Sequence, residues 1–554
     1  MNTNKKLLSI KNLFKYFPIA KTKLFQREQY FVRANEDVSL DIFEGETLGL
    51  VGESGCGKST LGRVLLQLYE QTGGSVMYYG STIGELAPKY VARTLTGAKR
   101  YVDTFKKAEA KADALRAECE QAGDEATFAQ IQARNLAVTD YDTKFHNAVS
   151  VLGGCVALDD IDSGAKLLLD IYRVNVKRVK CERKILDATV KRDYYASILD
   201  DTTDEKKKHS LETSVASRDA RIAALNEEKK ALEQEAEKAV AAYEELKKAN
   251  ADNEEFNRCE VLRDEGIDLA RLTEAEMRPL RSSLQIIFQD PYSSLNPRMT
   301  VGQIIEEGLV THKFYRHGSP KLKQYILDTM ENCGLQDYMI HRYPHQFSGG
   351  QRQRICIARA LAVKPKFIVC DECVSALDVS IQSQIINLLQ DLKEKEKLTY
   401  LFISHDLSVV RYISDRICVM YLGNVVEFTD AEKIFTDPRH PYTVALLSSI
   451  PTTDPDDASK ERIILEGNIP SPIMPPAGCK FNTRCYMACD KCRRVPPPLV
   501  EVEKGHFVAC HFPERKIDDK GEYLFDIKTE KKSDRQSVAV EAGEVAATAN
   551  VEVK

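Results

Sequence analysis

The stretch GESGCGKST, residues 52–60, is where residue types most directly prescribe chemistry. It follows the apolar, strand-like TLGLV (47–51) and opens onto LGRVLLQL, which reads as a helix. This is G-x-x-x-x-G-K-[ST] in the strand–loop–helix setting that the motif requires. Glycines let backbone N–H groups turn inward around phosphate oxygens, and the helix N-terminus adds a favourable dipole. Gly52, Glu53, Ser54, Gly55, Cys56, Gly57, Lys58, Ser59 and Thr60 are therefore candidate phosphate-binding residues. Lys58 would reach the β- and γ-phosphates, and Ser59 would ligate magnesium. A glycine-rich turn without ligand is the plainer reading, and the flanking elements argue against it. The loop alone says only that a nucleotide binds.

Four further stretches follow in fixed order. IIFQDP carries Gln289 after a strand-like run, and FSGGQRQR (347–354) is a small-residue loop opening onto a helix. FIVCDE (367–372) is an apolar strand ending in two carboxylates, and LFISHD (401–406) is another, delivering His405. Singly, each has a bland explanation: an exposed amide, a helix cap, a solvated strand end, a packed histidine. Jointly, behind a phosphate loop, the bland account fails.

With these motifs the sequence resembles the ATP-binding cassette (ABC) ATPases. The resemblance implies an α/β P-loop core with a small antiparallel β subdomain and a helical subdomain. It also implies two such domains closing head-to-tail over two ATP molecules. Asp371 would then hold magnesium, and Glu372 would be the general base orienting the attacking water. His405 would contact the γ-phosphate, and Gln289 would link magnesium and water to the membrane partner. Ser348, Gly349, Gly350 and Gln351 would present a helix N-terminus to the nucleotide on the opposite subunit. Asp378, in SALD (375–378), would be a polar contact of the dimer interface. Phe17 stands where the family stacks an aromatic on adenine, with Tyr16 as the alternative and sheet packing as the structural reading of either.

Three longer stretches point to a branch: IIFQDPYSSLNPRMTVGQII (286–305), HPYTVALLSSIP (440–451) and LEGNIPSPIMPPAGCKFNTRC (465–485). They resemble the ATPase subunits of the oligopeptide/dipeptide (and nickel) importers, and FSGGQRQR with CVSALDVSIQSQ is more like the F-type subunit. The match covers about residues 6–80 and 266–513. It implies an ATPase coupled to peptide transport across a membrane. The partners would be two integral membrane permease subunits, a second, D-type ATP-binding subunit and, indirectly, an extracytoplasmic peptide-binding protein. The place would be the cytoplasmic face of the cell membrane, as a peripheral subunit. Nickel or another small solute is the alternative cargo. Cys373 replaces the family's usual proline and Cys356 its usual glycine, neither at a catalytic position.

The elements that carry these motifs must come from a chain too long for one hydrophobic core. Its 554 residues hold 78 basic and 83 acidic side chains, a net charge of −5, without the basic excess of a general nucleic-acid binder. No secretory h-region opens the chain, and no run approaches the roughly 20 apolar residues that cross a bilayer. A reducing cytosol, where structural disulfides are not expected, follows from that reading.

The β subdomain begins at GGSVMYYG (73–80) and continues only at GIDLARLTEAEMRPLRSSLQIIFQ (266–289), so residues 81–265 are an insertion. They are rich in Ala, Lys and Glu with no proline after Pro88, and long helices are expected. From Leu211 to Leu246 a heptad pattern runs, with Val215, Ile222, Ala236 and Tyr243 at one position and Leu211, Leu225, Leu232, Ala239 and Leu246 at the other. Arg218 and Lys229 interrupt it. A short antiparallel coiled-coil arm is expected, either merely solvated or a docking surface. DNA-repair and chromosome-type ABC ATPases also carry coiled coils, but here the coil precedes Gln289 and has no CxxC hook.

The domains expected are 1–80 and 266–450 for the nucleotide-binding domain, 81–265 for the arm and 451–515 for a Cys-rich C-terminal region. A linker (451–460) and a disordered tail (516–554) complete the chain. Five of the fifteen cysteines fall in 478–510. Cys479, Cys485, Cys492 and Cys510, spaced C-x5-C-x6-C-x17-C, resemble the cysteine pattern that ends peptide-importer ATPases, with Cys489 an extra. Four thiolates suit an iron–sulfur cluster or zinc, and the resemblance favours [4Fe–4S] over Zn. Ordinary apolar filler is the remaining reading.

Overall fold

TLGLV is buried along its whole length, as a strand covered on both faces of a parallel sheet must be. The computed structural model of the protein describes residues 5–20, 30–123, 128–200, 202–450 and 463–513. The linker at 451–460 and the tail from 516 lie outside the described residues. The chain divides into two compact units, 1–424 and 425–554.

In the first unit, β1 (Lys6–Pro18), β2 (Phe31–Phe43), β4 (Gly73–Tyr78) and β5 (Ile267–Asp268) form an antiparallel sheet in the order β2-β1-β4-β5. A parallel sheet runs β9-β3-β8-β7-β6, built from β3 (Thr47–Val51), β6 (Leu284–Ile287), β7 (Phe367–Asp371), β8 (Thr399–Ile403) and β9 (Arg416–Tyr421). FIVCD and TYLFI, like TLGLV, are buried at every position. The sheet's carboxyl ends therefore present their loops together, where open α/β sheets bind ligands. α1 (Lys58–Leu65) follows β3, and α13 (Val379–Glu396) and α14 (Leu407–Ile413) follow β7 and β8. α9 (Glu274–Leu280) precedes β6, while α10 (Val301–Thr311), α11 (Pro320–Asn332) and α12 (Gly349–Ala362) make a helical layer between β6 and β7.

Residues 81–265 lie between β4 and β5, which pair antiparallel through Tyr78 and Ile267. Its two ends are joined by the Ile83 N–H donating to the Glu265 carbonyl at 2.9 Å. After the short α2 (Ile83–Leu86) and α3 (Lys89–Thr96) come two antiparallel hairpins. One is α4 (Ala98–Ala122) with α5 (Phe128–Leu152), and the other is α6 (Ile161–Asp200) with α7 (Glu205–Ala249), followed by α8 (Glu254–Val261). The heptad positions from Leu211 to Leu246 are all buried or half-buried, and Arg218 and Lys229 are half-buried among them. The hairpins share a core at their base that includes Val102, Phe105, Leu152, Cys155, Tyr243 and Cys259. There Glu260 accepts from the Tyr243 hydroxyl (2.8 Å) and the Gly154 N–H (2.9 Å).

α6 spans 40 residues, about 60 Å at 1.5 Å per residue, and its far end rests on the helical layer. Asp187 pairs with Lys313 at 2.9 Å, the Arg316 guanidinium lies 4.6 Å over the Tyr194 ring, and the Ser197 and Ser319 hydroxyls are 3.5 Å apart. The exposed members of such contacts are worth about 0.2–1 kcal/mol each. Replacing 81–265 by a short β4–β5 turn is accordingly expected to leave ATP turnover within about fivefold of the full chain, since 1 kcal/mol is a factor of about five. Steady-state phosphate release measures this, and complete loss of turnover would show the arm to be required.

In the second unit, β10 (Asn424–Asp430), β11 (Val500–Glu503) and β12 (His506–Val508) form an antiparallel ribbon, β11-β12-β10. α15 (Ala431–Thr436), α16 (Pro441–Ser448) and α17 (Asp490–Arg494) complete it. The ribbon closes on Glu427, which is fully buried and accepts from His506 Nε2 (2.8 Å) and from the backbone N–H groups of Arg439 (2.7 Å) and His440 (2.8 Å). Burial pushes its carboxyl up, but the bonds from His506 and the backbone outweigh burial and hold it below the ordinary value of 4.5. A depressed carboxylate stabilises the fold above its unfolded pKa, and that stability is lost as pH falls through the folded one. Glu427→Ala leaves three donors unpaired and is expected to destabilise this unit by about 3 kcal/mol. Hydrogen exchange of the β12 amides above pH 6 reads that loss. Unchanged protection would mean that Glu427 is not the keystone of the ribbon.

Candidate functional site

The phosphate loop is held from three sides. Gly57 has φ +98 at the N-cap of α1, and a Cβ there would lie 2.0 Å from the Ala34 carbonyl oxygen. Asn35, from the same β2 segment, donates from Nδ2 to the Gly57 carbonyl at 3.2 Å. Gly52 has φ +147, and its Cβ would strike the Met420 carbonyl oxygen at 2.2 Å. Lys58 is buried, and its ammonium donates to the carbonyls of Gly52 (2.7 Å) and Glu53 (3.1 Å), which draws the loop around its own nitrogen. Ser54 and Gly55 are exposed at the loop's outer turn, with Thr60 half-buried at the start of α1. Cys56 is buried, and burial pushes its thiol up even though Lys58 Nζ is 3.8 Å away. That protonated thiol is a packing group.

Ser59 and Asp371, 312 residues apart, meet at 2.5 Å. Two hard oxygens beside a phosphate loop fit a magnesium ion in type. Arg63, one turn beyond Ser59 on α1, lies 3.4 Å from the other Asp371 oxygen. No motif in the sequence singled out Arg63 or Asn35; only the packing of β2 and β7 around α1 brings them in.

Glu372 follows directly and has φ +49, an uncommon backbone state for a side chain of this size. The state is fixed: its N–H donates to the Ile403 carbonyl (3.0 Å), and its carbonyl accepts from Ser375 through both N–H (3.2 Å) and Oγ (2.9 Å). The turn sends the carboxylate away from the strand's buried end. There Glu372 Oε2 accepts from Gln289 Nε2 at 2.9 Å and lies 3.5 Å from His405 Nδ1. The carboxylate, amide and imidazole thus form one cluster at the ends of β7, β6 and β8.

The remaining candidates lie on other elements. Ser348 caps α12: its Oγ accepts from the Gln351 N–H (3.4 Å) while the Gln351 side-chain oxygen accepts from the Ser348 N–H (3.2 Å). Gln351 is therefore engaged in a capping box, with Ser348 and Gly349 exposed and Gly350 buried behind them. Asp378 is exposed at the N-cap of α13. Phe17 is half-buried, edge-on to Tyr69 at 5.4 Å, with Lys15 Nζ 4.6 Å from its ring. Tyr16 is tied down instead, donating to Glu36 at 3.1 Å with Arg33 over its ring. Cys356 and Cys373 are both buried.

In the second unit, Cys479, Cys485, Cys492 and Cys510 line one small cavity with Phe481 and Met487. Backbone N–H groups point at two of the sulfurs: Met487 at Cys485 Sγ and Phe512 at Cys510 Sγ, both at 3.4 Å. Such donors favour thiolates in soft-metal sites. Burial pushes the Cys479 thiol up to about 11 and that of Cys485 up to about 12. The donor set fits a soft metal in type. As placed, among the described residues, no three ligand groups are gathered closely enough to hold an ion. Cys489 does not line the cavity, yet its Sγ is 3.7 Å from that of Cys492. No helix among the described residues is long and apolar enough to cross a membrane.

A family model described as "ABC transporter" matches residues 35–153 and 248–375. One described as "Oligopeptide/dipeptide transporter, C-terminal region" matches 426–492. The putative oligopeptide transport ATP-binding protein YkfD of Bacillus subtilis is 53% identical over 248 residues, 44% of this chain and 75% of that protein. A putative peptide import ATP-binding protein of Brucella ovis is 54% identical over 246 residues, 44% of this chain and 77% of that one. The oligopeptide transport ATP-binding protein AppF of B. subtilis is 51% identical over 248 residues, again 44% and 75%. The chain belongs to the ATP-binding proteins of the oligopeptide/dipeptide ABC transporter family.

Proposed function

We propose that this chain is the ATP-hydrolysing subunit of a membrane importer for peptides, working as one of two cassettes that close over ATP. The observation that carries the catalytic part is the Glu372 carboxylate, held at φ +49 between Gln289 and His405 and one residue beyond the Ser59–Asp371 contact. Lys58 and the loop amides hold the phosphates of ATP. Ser59 and Asp371 would hold magnesium, which when bound neutralises charge on the phosphate oxygens. Glu372 orients water and takes its proton as general base, while Gln289 and His405 position the carboxylate from either side. Phe17, with its ring less constrained than that of Tyr16, is the adenine platform. The start of α12 (Ser348–Gln351), exposed at Ser348 and Gly349, and Asp378 face the nucleotide and the interface of a second cassette, a D-type subunit in this reading.

Peptide cargo is the reading that the relatives' names and the C-terminal match support, with two permeases as membrane partners and delivery by an extracytoplasmic binding protein. Uptake of a labelled tripeptide by cells carrying this chain and its permeases, compared with cells carrying Glu372→Gln, tests it. Loss of peptide uptake in the variant is expected; unaffected peptide uptake together with lost nickel uptake would reassign the cargo. For the cysteine cavity we favour a [4Fe–4S] cluster on Cys479, Cys485, Cys492 and Cys510, supported by the four soft donors and the amides directed at two sulfurs. Anaerobic purification with absorption spectroscopy and metal analysis tests this, and a colourless protein with stoichiometric zinc would replace iron by zinc.

A further inference from the structure

Cys492 is shared between two neighbourhoods. On one side its side chain lines the cavity with Cys479, Cys485 and Cys510. On the other, Cys489 Sγ lies 3.7 Å from Cys492 Sγ, across the two intervening residues Asp490 and Lys491. The two thiols differ in access: Cys492 is buried, while Cys489 is partly open to solvent. The backbone of Cys492 is anchored. Its carbonyl accepts from the Cys479 N–H at 2.8 Å and from Asn482 Nδ2 at 3.4 Å. Gly478, at φ +68, packs so closely that a Cβ there would lie 2.4 Å from the same carbonyl oxygen. The side chain can swing while the main chain stays, and a disulfide at about 2.05 Å needs the sulfurs to approach by about 1.7 Å.

We propose that Cys489 and Cys492 form a redox-active dithiol, and that its oxidation withdraws Cys492 from the four-cysteine cavity. The oxidant is a small-molecule disulfide, RSSR, of the glutathione type. The accessible Cys489, as thiolate, attacks one sulfur of RSSR, breaking its S–S bond and releasing the first RSH after protonation. Cys492 then attacks the Cys489 sulfur of the mixed disulfide, expelling the second RSH. Two protein thiols and RSSR become one protein disulfide and two RSH, with two electrons passing from the dithiol to RSSR. Three thiols remain at the cavity, one short of the four that a closed soft-metal site takes. The disulfide itself stands on the sulfur geometry alone; its consequence for metal retention rests on the four-thiol reading given above.

The full chain is equilibrated with a series of reduced-to-oxidised glutathione ratios, free thiols are alkylated, and tryptic peptides are analysed by mass spectrometry. Trypsin cuts after Lys491, so the peptides on either side stay joined only if a disulfide links them. A Cys489–Cys492 link is expected, assigned by fragmentation and absent from Cys489→Ser. Cys492 joined instead to Cys479, Cys485 or Cys510, or alkylated at every ratio, would overturn the dithiol. In parallel, zinc is loaded onto the reduced protein and its release on oxidation is followed with a chromogenic chelator. Release at least fivefold faster from the wild type than from Cys489→Ser is expected. Equal rates with the disulfide in place would overturn the coupling. Failure of both reduced proteins to retain zinc, with the disulfide mapped, would sink the four-thiol reading and the coupling with it but leave the dithiol standing.

Discussion

Glu372→Gln is expected to lower steady-state ATP hydrolysis by about 10²–10⁴-fold, the usual worth of a positioned general base, while ATP binding stays intact. The substitution keeps the shape of the side chain and removes its basicity. It touches none of the groups that hold phosphate, since Lys58 bonds to Gly52 and Glu53 and Ser59 bonds to Asp371. The backbone at 372 is fixed by Ile403 and Ser375, whose bonds are to main-chain atoms and survive the change. The φ +49 turn therefore still delivers an amide to the place where Gln289 and His405 meet the carboxylate. Phosphate release under saturating ATP, beside the affinity for a fluorescent ATP analogue, separates the two effects. Near-normal turnover would remove Glu372 from the role of base. Loss of nucleotide affinity in the same measure as turnover would make it a structural residue of the β7 end.

The parallel sheet was legible because its strands are buried on both faces and so read as unbroken apolar runs. TLGLV runs into the phosphate loop at Gly52, FIVCD ends on Asp371 beside Glu372, and TYLFI stops two residues before His405, and the fold puts those ends side by side. What the sequence left open is the partnering of those residues. The short Ser59–Asp371 contact and the Gln289–Glu372–His405 cluster join positions up to 312 residues apart, which no local pattern encodes. Arg63 and Asn35 were missed for the same reason. The helices of residues 81–265 were visible in the lack of proline there, and the inward positions of α7 in its heptads. Their division into two hairpins was not visible, nor was the contact of α6 with the helical layer through Asp187, Tyr194 and Ser197. Those contacts are single polar or aromatic pairs with no periodicity to announce them. Cys489 shows a different limit. Set against a four-cysteine spacing it reads as surplus, although with Cys492 it makes a C-x-x-C of its own. Which sulfurs approach each other is decided by the turn at Gly478 and the short helix α17, not by the spacing.

Gly57→Ala is expected to raise the Kd for ATP by at least about 100-fold, which corresponds to about 2.7 kcal/mol. Two costs combine at this position. Alanine at φ +98 is strained by about 1–3 kcal/mol, and its methyl would meet the Ala34 carbonyl oxygen at 2.0 Å. That oxygen is main chain in β2, so no side-chain rotation relieves the overlap, and either the loop or the strand must move. Movement of the loop pulls Lys58 and Ser59 out of register at the start of α1 and breaks the Asn35 bond to the Gly57 carbonyl. Gly55 supplies the control within the same loop. At φ +81, a methyl group added there would have nothing within 4 Å, so Gly55→Ala carries the backbone strain without the collision. Isothermal titration with ATP should therefore rank the affinities as wild type, then Gly55→Ala, then Gly57→Ala, with thermal unfolding checking that each variant is folded. Equal affinities for the two variants would mean that backbone strain alone governs the loop. The packing of β2 against it would then contribute nothing to holding the phosphates.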